Sequence, residues 1–108
     1  MANTFTSYLN KNVGTSAATV VTVGASTQTT VIGLSCSNTS SSPVTVDVYV
    51  TRSGTDVYIV KGATVPVGGS LVAVGGDQKL VLITSDALKV VSSASSSIDV
   101  ITSVLNIT

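Results

Sequence analysis

Hydrophobic and polar residues alternate in short runs along this chain, and turn signals separate the runs. The cleanest run is Val44-Thr45-Val46-Asp47-Val48-Tyr49-Val50-Thr51-Arg52, in which Val44, Val46, Val48 and Val50 share one face. Strict alternation over eight residues predicts a half-buried antiparallel strand. Thr29 to Ser37 repeats the pattern, with Thr30, Ile32, Leu34 and Cys36 expected on the apolar face and Val31, Gly33, Ser35 and Ser37 on the other. Further strands are predicted at Thr19–Val23, Asp56–Lys61, Ser70–Val74, Lys79–Ile83, Leu88–Ser93 and Ile98–Ile107. In the last of these, the face carrying Asp99, Ile101, Ser103, Leu105 and Ile107 turns apolar toward its end. Gly24-Ala25-Ser26, Ser53-Gly54-Thr55, Gly68-Gly69, Gly75–Gln78 and Thr84–Ala87 read as turns. The stretch from Gly62 to Val67 reads as an edge or crossing segment, because Pro66 cannot donate to a ladder.

Residues 1–16 differ from the rest. Phe5, Tyr8 and Leu9 stand among Asn, Thr, Ser and Lys, and the stretch ends at Val13-Gly14-Thr15. The segment reads as an extended N-terminal arm beside a domain spanning residues 17–108; the plainer alternative is a short first strand with frayed ends.

Composition narrows the fold. Val, Ile and Thr make up 42 of 108 residues, types that suit a pleated surface. Glu is absent and the other helix formers are scarce. Seven to eight short strands within about 100 residues predict a single all-β domain, an immunoglobulin/fibronectin-III-like β-sandwich in architecture. It lacks the Cys pair and core Trp of antibody domains. The core must rest on Val, Ile and Leu, which implies modest stability for a lone monomer and more in an oligomer.

Charge and chemistry exclude more than they suggest. Five cations balance five anions, so no nucleic-acid or anionic-membrane footprint exists. No run of about 18 apolar residues occurs, so no membrane helix is expected. The opening Met1–Tyr8 lacks the basic and apolar regions of a signal peptide, and the one cysteine permits no internal disulfide; synthesis in a reducing cytosol is expected.

General acid–base work needs titratable pairs, yet His and Glu are both missing. Asp56, Asp77 and Asp86 sit in or beside turns, where the side chain bonds local backbone. Asp47 and Asp99 lie on outward strand faces and suit a Lys across the strand. No calcium loop, nucleophile elbow or phosphate loop is present, so no catalytic residue, metal or cofactor is expected. Cys36 reads as a buried, inert thiol. The triplets Asn38-Thr39-Ser40 and Asn106-Ile107-Thr108 match a glycosylation pattern by chance in so Ser/Thr-rich a chain. What remains is contact chemistry, with Phe5, Tyr8, Leu9, Tyr49 and Tyr58 as candidate interface residues. Tyr49 and Tyr58 flank the Ser53–Thr55 turn and suit pairing with each other.

Several stretches carry a resemblance. They are Asn3-Thr4-Phe5 with Asn12-Val13-Gly14-Thr15, Gly62 to Leu71, Val74-Gly75-Gly76-Asp77-Gln78-Lys79, Ser85 to Val90, and Asp99 to Ile107. Together they resemble small virion structural proteins of tailed bacteriophages, cyanophage-like ones in particular, over Asn3 to Ile107. The resemblance implies a non-enzymatic, homo-oligomeric part of a virion, made in the host cytoplasm. Its partners would be other virion proteins, in capsid decoration or cement, neck or tail. The arm would order on a neighbour, so that a chain without residues 1–16 stays folded but no longer joins particles. The alternative is an adhesin-like module that recognises a surface glycan or protein.

Overall fold

The computed structural model describes residues 2–108. Nine strands form, and every regular element among the described residues is β. They are β1 (Asn3–Val13), β2 (Ala18–Thr22), β3 (Gln28–Asn38), β4 (Val44–Arg52), β5 (Thr55–Val65), β6 (Ser70–Val74), β7 (Leu80–Leu82), β8 (Ala87–Ser92) and β9 (Ile98–Ile107). One antiparallel sheet has the order β1-β9-β3-β6, with β7 also on β3; the second has the order β2-β8-β4-β5.

The all-β sandwich forms as expected, but its strand order is not the immunoglobulin one, where β1 would pair with β2. Here the pairs are nested. Asn3 meets Ile107, Ala18 meets Val90, Leu34 meets Val74 and Val44 meets Val65, each pair nearly equidistant from the Ser53–Gly54 tip. The chain is one long hairpin rolled up, with β3–β9 and β4–β8 closing the two sheets. That is the double-sheet jelly roll. The tip is a two-residue turn with Ser53 at φ 52° and Gly54 at φ 77°. This left-handed pair matches the strand twist and favours glycine.

The core lies between the sheets. Val31, Leu34, Cys36, Val74, Leu82, Val100 and Val104 come from the first; Val20, Val21, Val46, Val48, Val65, Leu88 and Val90 come from the second. Full burial of each such side chain contributes about 1.5–3 kcal/mol before chain entropy is charged against it.

Bulges account for the departures from the sequence expectation. The register slips at Ile32, where β3 carries one residue more than β9. A one-residue slip swaps faces. Before it, Thr29 and Val31 point into the core; after it, Leu34, Cys36 and Asn38 do. Thr30 and Ile32 therefore do not share the buried face with Leu34 and Cys36. In β5 the register slips twice opposite β4, once at Lys61–Gly62 and once at Ile59. Gly62 has φ 68° and donates its N–H to Asp47 Oδ1 at 2.7 Å. The strand thus runs on to Val65, and the separate segment expected from Gly62 is the far end of β5.

Residues 3–13, expected as an arm, are extended and lie along β9 of the same chain as the edge strand of the first sheet.

Candidate functional site

The sandwich has two outer faces, and four of the five candidate contact residues divide between them. Phe5 and Leu9 are on the outer face of the first sheet, 74% and 73% exposed. Their neighbours complete two rows across the sheet. Leu9 pairs with Ile101, Ile101 with Ser35, and Ser35 with Val72. Phe5 pairs with Leu105, Leu105 with Thr30, and Thr30 with Val81. Ser7, Ser103 and Gly33 form a low trough between the rows. Ile101, Val72 and Val81 are each more than half exposed. No charged residue lies in either row. A shallow depression of about 250 Å³ sits over the trough, bordered by Ile101 and Val72.

Tyr8 points to the opposite side of β1. It is half-buried, packs against the core, and its hydroxyl accepts a long hydrogen bond from Asn106 Nδ2 at 3.4 Å. Tyr49 and Tyr58 occupy the outer face of the second sheet. Their ring centroids are 4.8 Å apart at 37°, and Lys61 Nζ stands 4.3 Å above the Tyr58 ring. Tyr49 is nearly covered. Burial first, then the charges of Asp56, Tyr58 and Asp47, push its hydroxyl above the usual phenol range. Of this pair, Tyr58 presents the accessible surface.

Four of the five aspartates are engaged in holding the fold. Asp86 is buried and receives a bidentate Arg52, Nε to Oδ1 at 2.8 Å and Nη2 to Oδ2 at 2.6 Å, plus the Ile83 N–H at 3.0 Å. The Arg52 bonds hold its carboxyl below the ordinary range. Asp86 bonds local backbone as expected of a turn; the arginine, 34 positions away, had no local signal. Asp56 accepts from Thr51 Oγ1 at 2.6 Å, Asp99 from the Asn12 N–H at 3.0 Å, and Asp47 lies 3.8 Å from Lys61. Cys36 is buried, and desolvation pushes its thiol up to about 11. Among the described residues no cluster of potential metal ligands occurs, and no helix is long and apolar enough to cross a membrane.

Asn38 belongs to the fold rather than to any surface chemistry. It is buried at the end of β3. Its Nδ2 donates to Ser42 O at 2.9 Å and Val65 O at 3.0 Å, and its Oδ1 accepts from the Ser40 N–H at 2.9 Å and the Ser40 hydroxyl at 2.7 Å. It fastens the first sheet and the following loop to the end of β5.

A second apolar feature lies on the open side of the sandwich. Val50, Val57, Ile59, Leu80, Val81 and Leu82 line a cleft of about 250 Å³ between β5 and β7. Arg52 is its one charged lining residue and is already paired.

No family model and no curated protein sequence matches the chain. Among solved structures of similar fold are the following two. One is a chain of Bacillus endospore appendages, described as disulfide-linked pili, with TM-score 0.57 and 16% identity, covering 98% of this chain and 88% of that one. The other is a chain of the T13 particle of infectious bursal disease virus, with TM-score 0.50 and 11% identity. This chain is covered over 96% there and spans about a third, 35%, of the viral one. At such identities the likeness is one of fold.

Proposed function

We propose that the chain is a structural subunit of a bacteriophage virion, in capsid decoration or cement, or at the neck or tail. It works by symmetric contacts between copies and with neighbouring virion proteins, and catalyses nothing. The observation that carries this reading is the pair of charge-free apolar rows on the outer face, built on Phe5, Leu9, Ile101, Leu105, Val72 and Val81. Contiguous exposed apolar surface on a small domain marks an interaction site. The absence of His and Glu and the engaged state of Asp47, Asp56, Asp86 and Asp99 agree with this reading. The two chains of similar fold named above come from assembled bodies, a pilus and a viral particle, which agrees with this role. The disulfide linkage of that pilus has no counterpart here, since the one cysteine is buried.

The reading is tested by co-sedimentation of labelled protein with intact particles. Saturable binding at fixed stoichiometry is expected; no association with any particle fraction refutes it. The adhesin-like alternative predicts glycan-array binding, and it relies on exposed aromatics, of which the Tyr49–Tyr58 pair supplies only Tyr58.

A further inference from the structure

The sandwich has open edges at β1 and β6–β7 in one sheet, and at β2 and β5 in the other. Edges are templates for foreign strands, and proteins blunt them with bulges, shortness, charge or proline. Three of these edges are blunted. The β5 edge has two register slips, Lys61, and Pro66 directly after it. The β2 edge has five residues and a slip at Val20. The β6 edge also has five and a slip at Ala73, and β7 has three. The β1 edge is different. Asn3 to Asn10 runs in unbroken register against β9, with no proline and no charge, and its first slip comes only after Asn10.

The direction of its free groups follows from its partner. Ala2 and Thr108 exchange both backbone hydrogen bonds, at 3.0 and 2.9 Å. In an antiparallel ladder such pairs alternate, so Thr4, Thr6, Tyr8 and Asn10 also bond to β9. Asn3, Phe5, Ser7 and Leu9 therefore aim their N–H and C=O groups at the open edge.

We propose that β1 is the seam of a two-fold dimer, paired antiparallel with β1 of a second copy and centred on Ser7. The proposal rests on the structural reading above and names the contact. An unblunted edge needs a partner edge that is also unblunted, and β1 is the one this chain offers. With Ser7 opposite Ser7, Phe5 meets Leu9 of the second copy on the outer face, and the outward-aimed groups of each copy face those of the other. Lys11 falls across from Asn3 of the second copy. The two lysines then stand at opposite ends of the seam, about 27 Å apart at 3.4 Å per residue, so like charges do not oppose. The charge-free rows of both copies then lie on the same side of a continuous sheet.

The test is the oligomeric state of the full chain by sedimentation equilibrium. Wild type is expected at twice its 10.8 kDa mass. Ser7→Pro removes an N–H that the fold does not use, so it should weaken the dimer at least tenfold while the folded β spectrum is kept. Ser7→Lys sets like charges directly opposite at the axis. It should weaken the dimer at least tenfold at low salt, recover as salt rises, and form a heterodimer when mixed with Ser7→Asp. The mixing experiment is specific to a seam centred on Ser7 and does not depend on proline being tolerated. A wild type that stays monomeric up to about 0.5 mM, a Ser7→Pro dimer of unchanged strength, or no preference for the Lys–Asp heterodimer overturns the seam. A wild-type monomer that takes up a strand of another protein overturns it too. None of these results alters particle co-sedimentation, so the two proposals fail separately.

Discussion

Replacing Asn38 with Ala should be the most costly single change outside the apolar core. The side chain makes four hydrogen bonds, and the residue is 3% exposed. The Ser40 groups and Ser42 O stand near the surface and can be hydrated when the amide is removed. Loss of each such neutral bond costs about 1 kcal/mol or less. Val65 O belongs to a residue with no exposed surface, and a buried acceptor that loses its donor costs roughly 1–3 kcal/mol. The sum is about 3 kcal/mol, a large part of the roughly 5–15 kcal/mol that holds a typical domain. It corresponds to a fall in Tm of roughly 10–20 °C at this chain length. Urea unfolding followed by circular dichroism measures it directly. Ser40→Ala should cost only about 1 kcal/mol, since it removes one hydroxyl donor at a hydratable position. Asn38→Asp keeps both accepted bonds but turns a carboxylate toward two carbonyls. Its deficit should grow as pH rises through the carboxylate range, because protonation restores a donor. A loss below 1 kcal/mol for Asn38→Ala, or an equal loss for Ser40→Ala, refutes the bookkeeping.

Three further outcomes are expected. Gly54→Ala should lower stability by about 1 kcal/mol, because a Cβ meets nothing within 4 Å there and only the φ of 77° is strained; an unchanged urea midpoint contradicts this. Asp86 has a folded-state pKa below its ordinary 3.8, so its stabilisation is present above that value and is lost as pH falls through the depressed one. Wild type should thus lose its advantage over Asp86→Asn on acidification, and a constant gap from pH 7 to pH 2 would refute it. Cys36, with its thiol pushed up to about 11, should resist aromatic disulfide reagents at pH 8 until denaturant is added; labelling of the native protein within minutes would count against its burial.

Much of the fold was legible in the sequence, for reasons particular residues make plain. Val44, Val46 and Val48 are buried in a strand whose register against β8 is unbroken, so period-two reading works there. In β3 it fails at Ile32, because a bulge leaves no mark on a chain in which Val, Ile and Thr occur everywhere. The nested pairing was hidden for the same reason: nothing in composition tells β1 that its partner is β9 rather than β2. β1 has its apolar residues Phe5 and Leu9 outside, while its inward residues Thr4, Thr6, Tyr8 and Asn10 are mostly polar, so its strand is held largely by backbone bonds. The outer-face patch was half visible. Phe5 and Leu9 stood out as apolar residues in a polar segment, and the late apolar turn of the last strand pointed to Ile101 and Leu105. Val72 and Val81 lie in predicted strands, but only register puts Val72 in the row of Leu9 and Ile101, and Val81 in the row of Phe5 and Leu105. The bond from Arg52 to Asp86 is long-range in sequence and had no local sign.

The central claim is that this molecule acts by packing in fixed number, and quantitative mass spectrometry of gradient-purified virions tests it most directly. A copy number that is a constant multiple of the particle symmetry, across preparations, is the predicted result. Absence of the chain from the virions, or a trace amount that varies between preparations, would contradict it.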